Sequence, residues 1–144
     1  LPDISISADV ITGFPGESEA QFLAGMQAIR NMKLSFLHVF PFSKRDGTKA
    51  ALMDGQLSAE IKKQRCTLLH QLSEELKQNY ETGFLHREVR VLWERKESNM
   101  MFGHTSEYIG VYAPLDETRL HTMEQVVILS SFNDKWICKT EVSG

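Results

Sequence analysis

The run Ile4-Ser5-Ile6-Ser7-Ala8-Asp9-Val10-Ile11-Thr12-Gly13-Phe14-Pro15-Gly16-Glu17-Ser18-Glu19-Ala20-Gln21 decides the architecture of the first half of the chain. Apolar and polar residues alternate from Ile4 to Val10, which is the period of a strand. Two glycines and a proline between Gly13 and Gly16 then force a tight turn and let backbone come close to a ligand. Ser18 and Gln21 have the spacing of a capping box. Phe22, Met26 and Ile29 follow at i, i+4 and i+7, with Leu23 beside them, giving one apolar helical face that ends near Asn31. A second strand is predicted over 34–40, where Phe36, Val39 and Phe40 are aromatic or β-branched. Strand, helix and strand in succession make a βαβ unit, with parallel pairing and a right-handed crossover. Both strands are nearly apolar throughout, so both faces are expected to be covered.

Beyond this unit, residues 41–55 form a loop rich in turn residues, longer than a passive connection needs. A long helix is predicted from Ser58 to about Glu81, with Gly83 as a left-handed stop. Its buried stripe reads Ile61, Leu68, Leu69, Leu72, Leu76 and Tyr80, and its solvated face Lys62, Lys63, Glu74 and Lys77. From Phe84 the texture changes to five short segments rich in β-branched and aromatic residues: 89–93, 100–105, 109–112, 126–129 and 136–140. That pattern predicts a small five-stranded antiparallel barrel. The fold class is therefore α/β plus all-β, with domains at 1–83 and 84–144. A lone opening strand needs neighbours, so the chain is expected to be the C-terminal piece of something longer.

At 144 residues there is room for one ordinary domain or two small ones. An apolar share of 42% supplies a core and excludes disorder for most of the chain. Against 19 Asp and Glu stand 16 Lys and Arg, a net charge of −3, which excludes a strongly basic domain that coats nucleic acid but not a local basic face. No run reaches the length of a membrane span and no secretory leader is seen, so a cytoplasmic setting is expected. Cys66 and Cys138 are too few and too far apart for a disulfide framework or a four-thiolate site.

Two loops are candidates for chemistry. The turn Gly13–Glu17 lies at the carboxyl end of the first strand, where parallel α/β folds bind ligands. Its backbone and the helix N-terminus can meet a flat or anionic group, or it is simply a tight turn in which Glu17 favours the helix dipole. The second loop reads Phe40-Pro41-Phe42-Ser43-Lys44-Arg45-Asp46-Gly47-Thr48. Its aromatics can stack on a purine and Arg45 can fork onto phosphate or carboxylate. Alternatively Phe40 and Phe42 are core, and Lys44 and Arg45 are surface. His38 reads as a core histidine, Cys66 as a small apolar packing residue and Cys138 as core. No nucleophile elbow, phosphate loop or dinucleotide fingerprint occurs.

Taken together, 9–18 and the Leu37-His38-Val39-Phe40-Pro41-Phe42-Ser43-Lys44-Arg45 run with Gly47, Thr48, Ala50 and Ala51 resemble the C-terminal portion of the radical S-adenosylmethionine tRNA methylthiotransferases, nearest the MtaB type. Asn99-Met100-Met101-Phe102-Gly103-His104-Thr105-Ser106-Glu107-Tyr108 is similar to the RNA-binding TRAM barrel of that family. The resemblance implies the last βαβ portion of a partial, TIM-like radical barrel followed by a TRAM barrel. It implies transfer of a methylthio group to carbon 2 of N6-threonylcarbamoyladenosine next to the tRNA anticodon. S-adenosylmethionine and two 4Fe–4S clusters are the implied cofactors and tRNA the implied partner. Gly13, Phe14, Pro15, Gly16, Phe40 and Phe42 fall where the family holds S-adenosylmethionine, and Arg45 and Thr48 where it faces the substrate nucleotide. Arg87, Arg95 and Lys96 are the barrel cations expected to meet RNA. The family's three-cysteine motif does not occur, so this chain is expected to hold no cluster and to be inactive alone. The alternatives are an RNA-binding module without catalysis, or the same transfer to isopentenyladenosine tRNA or to a ribosomal protein.

Overall fold

Segments rich in β-branched and aromatic residues form β1 (Ser7–Thr12) and β2 (Phe36–Pro41), which pair in parallel from Ser7↔Phe36 to Thr12↔Pro41. The crossover between them is α1 (Glu19–Asn31). This is a computed structural model that describes residues 3–140, and in it the chain divides into two compact units, Ile6–Tyr80 and the remainder. The capping box at the start of α1 is present: Ser18 Oγ accepts from the Gln21 amide, and Gln21 Oε1 accepts from the Ser18 amide. Such a cap satisfies two otherwise orphaned donors and contributes about 1 kcal/mol. β1 begins at Ser7, later than the alternation suggests, because Ile6 is held from the side. Its amide donates to Ser35 Oγ and its carbonyl accepts from the Ser35 amide.

The core of this unit lies between the sheet and two helices. Phe22 and Met26 from α1, Leu37 from β2, and Leu69, Leu72 and Leu76 from α2 (Ala59–Thr82) form its buried cluster, with Ala8, Val10 and Val39 packed against it. The expectation that both faces of the sheet are covered does not hold within the unit. Both helices pack on one face, so Ile11 and Phe40, opposite one another in the register, stand 61% and 51% exposed on the other. His38 shares that face and is exposed rather than core, its ring meeting the Phe36 ring edge-on at 5.0 Å.

The buried stripe of α2 also differs from the prediction. Ile61 and Leu68 are exposed, and Arg65 and Ser73 join Leu69, Leu72 and Leu76 inside. Hydrogen bonding is the reason. Ser73 Oγ accepts from the Leu37 amide and donates to its carbonyl, tying the helix to β2, while Arg65 is drawn in by Glu17. Gly83 does not stop the helix in a left-handed conformation. The chain tightens into i+3 turns, Phe84 N to Glu81 O and Leu85 N to Thr82 O, and the left-handed residue is His86 at φ 63°.

The second unit is a closed five-stranded barrel of order β3–β4–β5–β7–β6. Its strands are β3 (Glu88–Glu97), β4 (Met100–Thr105), β5 (Gly110–Pro114), β6 (Met123–Phe132) and β7 (Lys135–Thr140). The predicted all-antiparallel arrangement is corrected at one seam: β5 and β7 run parallel, with Val111↔Trp136 and Tyr112↔Ile137. Parity requires it, since strict alternation of direction cannot close a ring with an odd number of strands. Val91, Trp93, Met101, Val111, Val126 and Ile128 fill the interior and are essentially inaccessible to solvent. The Trp93 indole donates to Glu124 Oε2 at 3.1 Å, and Arg119 grips the same carboxylate at 2.5 and 2.7 Å.

Candidate functional site

The carboxyl ends of β1 and β2 carry the two predicted loops, and hydrogen bonds lock both. Gly13 and Gly16 take φ of 81° and 82°, so the turn between them depends on residues that tolerate the left-handed region. Glu17 folds back under this turn. Its Oε1 accepts from the Gly13 amide at 3.0 Å, from Thr12 Oγ1 at 3.2 Å, and from the Arg65 guanidinium. The same Arg65 nitrogen donates to the Glu17 carbonyl at 3.0 Å. The Glu17 carboxylate is thus occupied inward, holding the turn in shape. Gly16 N donates to Gly55 O at 2.9 Å, and Phe42 N to Thr12 O at 2.8 Å, joining the two loops.

Lys62 belongs to this floor rather than to a solvated face. Its Nζ donates to the Phe42 carbonyl at 3.2 Å and lies 5.4 Å from the Phe42 ring centre, while its stem packs where a Gly13 Cβ would sit, 2.6 Å from Lys62 Cγ. Phe14 meets Phe42 edge-on at 5.3 Å. Beside them is a depression of about 510 Å³ lined by Ile11, Phe40, Pro41, Phe42, Ser43, Arg45, Thr48 and Ala50. It offers apolar surface with a guanidinium and hydroxyls at its edge, suited to a flat heterocycle with a polar rim. Thr48 caps the short 3-10 turn Lys49–Leu52: its hydroxyl donates to Arg45 O at 2.8 Å and accepts from the Ala51 amide at 3.3 Å. A wider hollow of about 840 Å³ lies along α2, but residues of that one helix line it and no chemistry converges there.

On the barrel, the three predicted RNA-facing cations are each drawn to a carboxylate. Arg87 forks onto Asp3 at 2.8 and 3.1 Å, Arg95 onto Glu97 at 2.6 and 2.9 Å, and Lys96 reaches Glu117 at 3.1 Å. The Arg95 and Tyr112 hydrogen bonds hold the Glu97 carboxyl below its ordinary range, and the Arg87 fork does the same for Asp3. Aromatics accompany these charges. Arg95 lies 4.1 Å over the Phe102 ring, Lys135 lies 4.6 Å over Tyr112, and the Phe102 and Tyr112 rings are 4.9 Å apart.

The two thiols do not form a metal site. Cys66 lies on α2, and Cys138 lies inside the barrel, where burial pushes its pKa up to about 12. Among the described residues no group of three His, Cys, Asp or Glu side chains stands together, so these residues do not fit an iron–sulfur cluster. Sequence reading missed Arg65 and Lys62, both on α2 and both supporting the Gly13–Glu17 turn. The available signal was i, i+3 spacing with one lysine and one arginine on the flank of an apolar stripe, which on most helices marks a solvated edge.

With this geometry in hand, known proteins supply descent. No family model matches the chain. The threonylcarbamoyladenosine tRNA methylthiotransferase MtaB of Bacillus subtilis is 35% identical over 136 residues, 91% of this chain and 30% of that protein. A tRNA-2-methylthio-N(6)-dimethylallyladenosine synthase of Sphingopyxis alaskensis is 41% identical over 66% of the chain and 21% of its own length. The MtaB of Thermotoga maritima is 36% identical over 65% of the chain and 21% of its own length. The chain thus spans less than a third of these relatives, and by descent it is a homologue of tRNA methylthiotransferases of two substrate types.

Proposed function

We propose that this chain is part of a tRNA methylthiotransferase of the radical S-adenosylmethionine family. In this reading Ile6–Tyr80 is the last βαβ portion of the radical barrel and the closed five-stranded unit is a TRAM barrel. The observation that carries it is the 35% identity to a methylthiotransferase over 91% of the chain, spanning both units. The transfer would place a methylthio group on carbon 2 of N6-threonylcarbamoyladenosine beside the anticodon. The 41% identity to a dimethylallyladenosine synthase supports the second reading, the same transfer on a differently decorated adenosine.

The depression beside Phe42 fits the adenine of S-adenosylmethionine. Its lining is largely apolar, Phe40 and Ile11 are open to solvent, and Ser43, Arg45 and Thr48 of the loop after β2 supply its polar edge. Gly13, Phe14, Pro15, Gly16, Phe40 and Phe42 would hold the nucleoside, with Arg45 and Thr48 turned to the tRNA nucleotide. When bound, the cofactor supplies the radical and methyl-group chemistry. This chain's residues bind and orient: Glu17 and Arg65 fix the turn, Lys62 fixes Phe42, and the aromatic walls exclude water from one side of the base. Cluster ligands belong to other parts of such an enzyme.

Mass spectrometry of tRNA nucleosides from a host strain lacking the gene tests the reading. Loss of the 2-methylthio form of one adenosine, restored by the intact gene, is expected, and the side group on that adenosine identifies the branch. An unchanged nucleoside profile would overturn the assignment.

A further inference from the structure

Between β4 and β5 the chain reverses through residues 105–109, and every backbone amide of the turn donates a hydrogen bond. Thr105 N donates to Ile109 O and Tyr108 N to Thr105 O, both at 2.9 Å, while Thr105 Oγ1 accepts from the amides of Glu107 and Ile109, both at 3.2 Å. Within this rigid frame Tyr108 takes φ 68°, a conformation that costs a non-glycine residue about 1 kcal/mol. Its side chain gains no burial in return, since Tyr108 is 77% exposed. One face of the ring rests on His104, with centres 5.3 Å apart and planes at 33°. His104 is itself pinned, Nδ1 to Glu94 Oε1 at 2.9 Å and its ring against Phe102 at 4.9 Å. Strain and an exposed, supported aromatic face at a hairpin tip together mark a contact site.

We propose that Tyr108 stacks on an unpaired nucleobase of the RNA, with His104 as its support. The inference rests on the tRNA-directed reading above and deepens it by naming the contact. Every base presents a π-face, whereas the three barrel cations expected to meet RNA, Arg87, Arg95 and Lys96, are already engaged by carboxylates. Stacking therefore carries the recognition that charge does not.

Binding of three probes to the chain, oligoadenylate, bulk tRNA and a blunt RNA duplex, is followed by fluorescence anisotropy. Tyr108→Asn keeps a side chain that tolerates the left-handed backbone but removes the ring. It is expected to weaken oligoadenylate and tRNA binding about tenfold, in line with the loss of one stacked base, with duplex binding and melting temperature unchanged. Tyr108→Phe and Tyr108→Trp retain affinity, and the added indole emission of the latter is quenched by oligoadenylate. Wild-type affinity in Tyr108→Asn, equal weakening on the duplex, or unquenched emission overturns the proposal. So does a wild-type chain that binds neither single strand nor tRNA, a result that leaves the methylthiotransferase reading to the nucleoside measurement.

Discussion

A buried arginine holds the candidate cofactor turn, and its energetics differ from those of the surface pairs. Arg65 and Glu17 side chains are 10% and 21% exposed, against 46% and 44% for Arg87 and Asp3. Removing one partner of such a pair strands the other charge, so Arg65→Met should destabilise the helical unit by about 3 kcal/mol in urea unfolding. Glu17→Gln keeps an acceptor for the Gly13 and Thr12 donors but strands the Arg65 charge, so it too should cost about 3 kcal/mol. None of this was legible from sequence, because Arg65 lies 48 positions from Glu17 and a charged residue on a helix reads as solvated. The thiols are the second case. Burial raises both, Cys138 to about 12, and the thiolate is the reactive form. At pH 8 a disulfide reagent should therefore label Cys66 first and Cys138 only as the barrel unfolds; prompt labelling of both would show that Cys138 is accessible.

Strand patterns were readable where alternation was unbroken and failed where the backbone interrupts it. β3 was foreseen only to Trp93, although it runs to Glu97. The pairing register shifts between Trp93 and Arg95, and this bulge turns Arg95 outward over Phe102 when simple alternation would have put it in the core. Gly103 faces the bulge. A Cβ there would lie 2.1 Å from the Leu92 carbonyl oxygen and 3.0 Å from Trp93 Cα, which are backbone atoms that cannot step aside. Gly103→Ala should lower barrel stability by about 3 kcal/mol, seen as a drop in the thermal midpoint followed by tryptophan emission. The opposite end of Trp93 gives a pH signature. Arg119, and then Trp93, hold the Glu124 carboxyl below its ordinary value of 4.5. A depressed carboxylate stabilises the fold above the unfolded value and loses that contribution as pH falls through the folded one. Glu124→Gln should thus cost about 2 kcal/mol at pH 7 and progressively less as pH falls below the ordinary carboxylate value, compared by urea titration across that range.

Charge across the whole chain bears on the proposed contact with RNA. The sequence made clear that the chain has no excess of cations, with a net charge of −3, but not that Arg87, Arg95 and Lys96 would be spent internally. That depends on Glu97 lying two residues from Arg95 on one bulged strand, and on Glu117 arriving beside Lys96 from a loop 21 positions away. The fold class was legible because periodicity is local, whereas pairing of charges depends on which strands the barrel sets side by side. A phosphate must compete with these carboxylates before a counterion is released. With few cations available, the slope of log affinity against log salt for tRNA should be no steeper than about −2, the value for some three neutralised phosphates on single strands. Glu117→Gln releases Lys96, and Glu97→Gln leaves Arg95 only its longer contact with Glu94 at 3.8 Å; each should steepen the slope by up to about 0.7 while raising affinity at low salt, roughly one phosphate contact apiece. Anisotropy titrations between roughly 50 and 200 mM salt, the range over which phosphate contacts show their effect, measure both quantities. A wild-type slope near −4, unmoved by either substitution, would mean that RNA strips the acids from Arg95 and Lys96 and that charge, not ring stacking, dominates the contact.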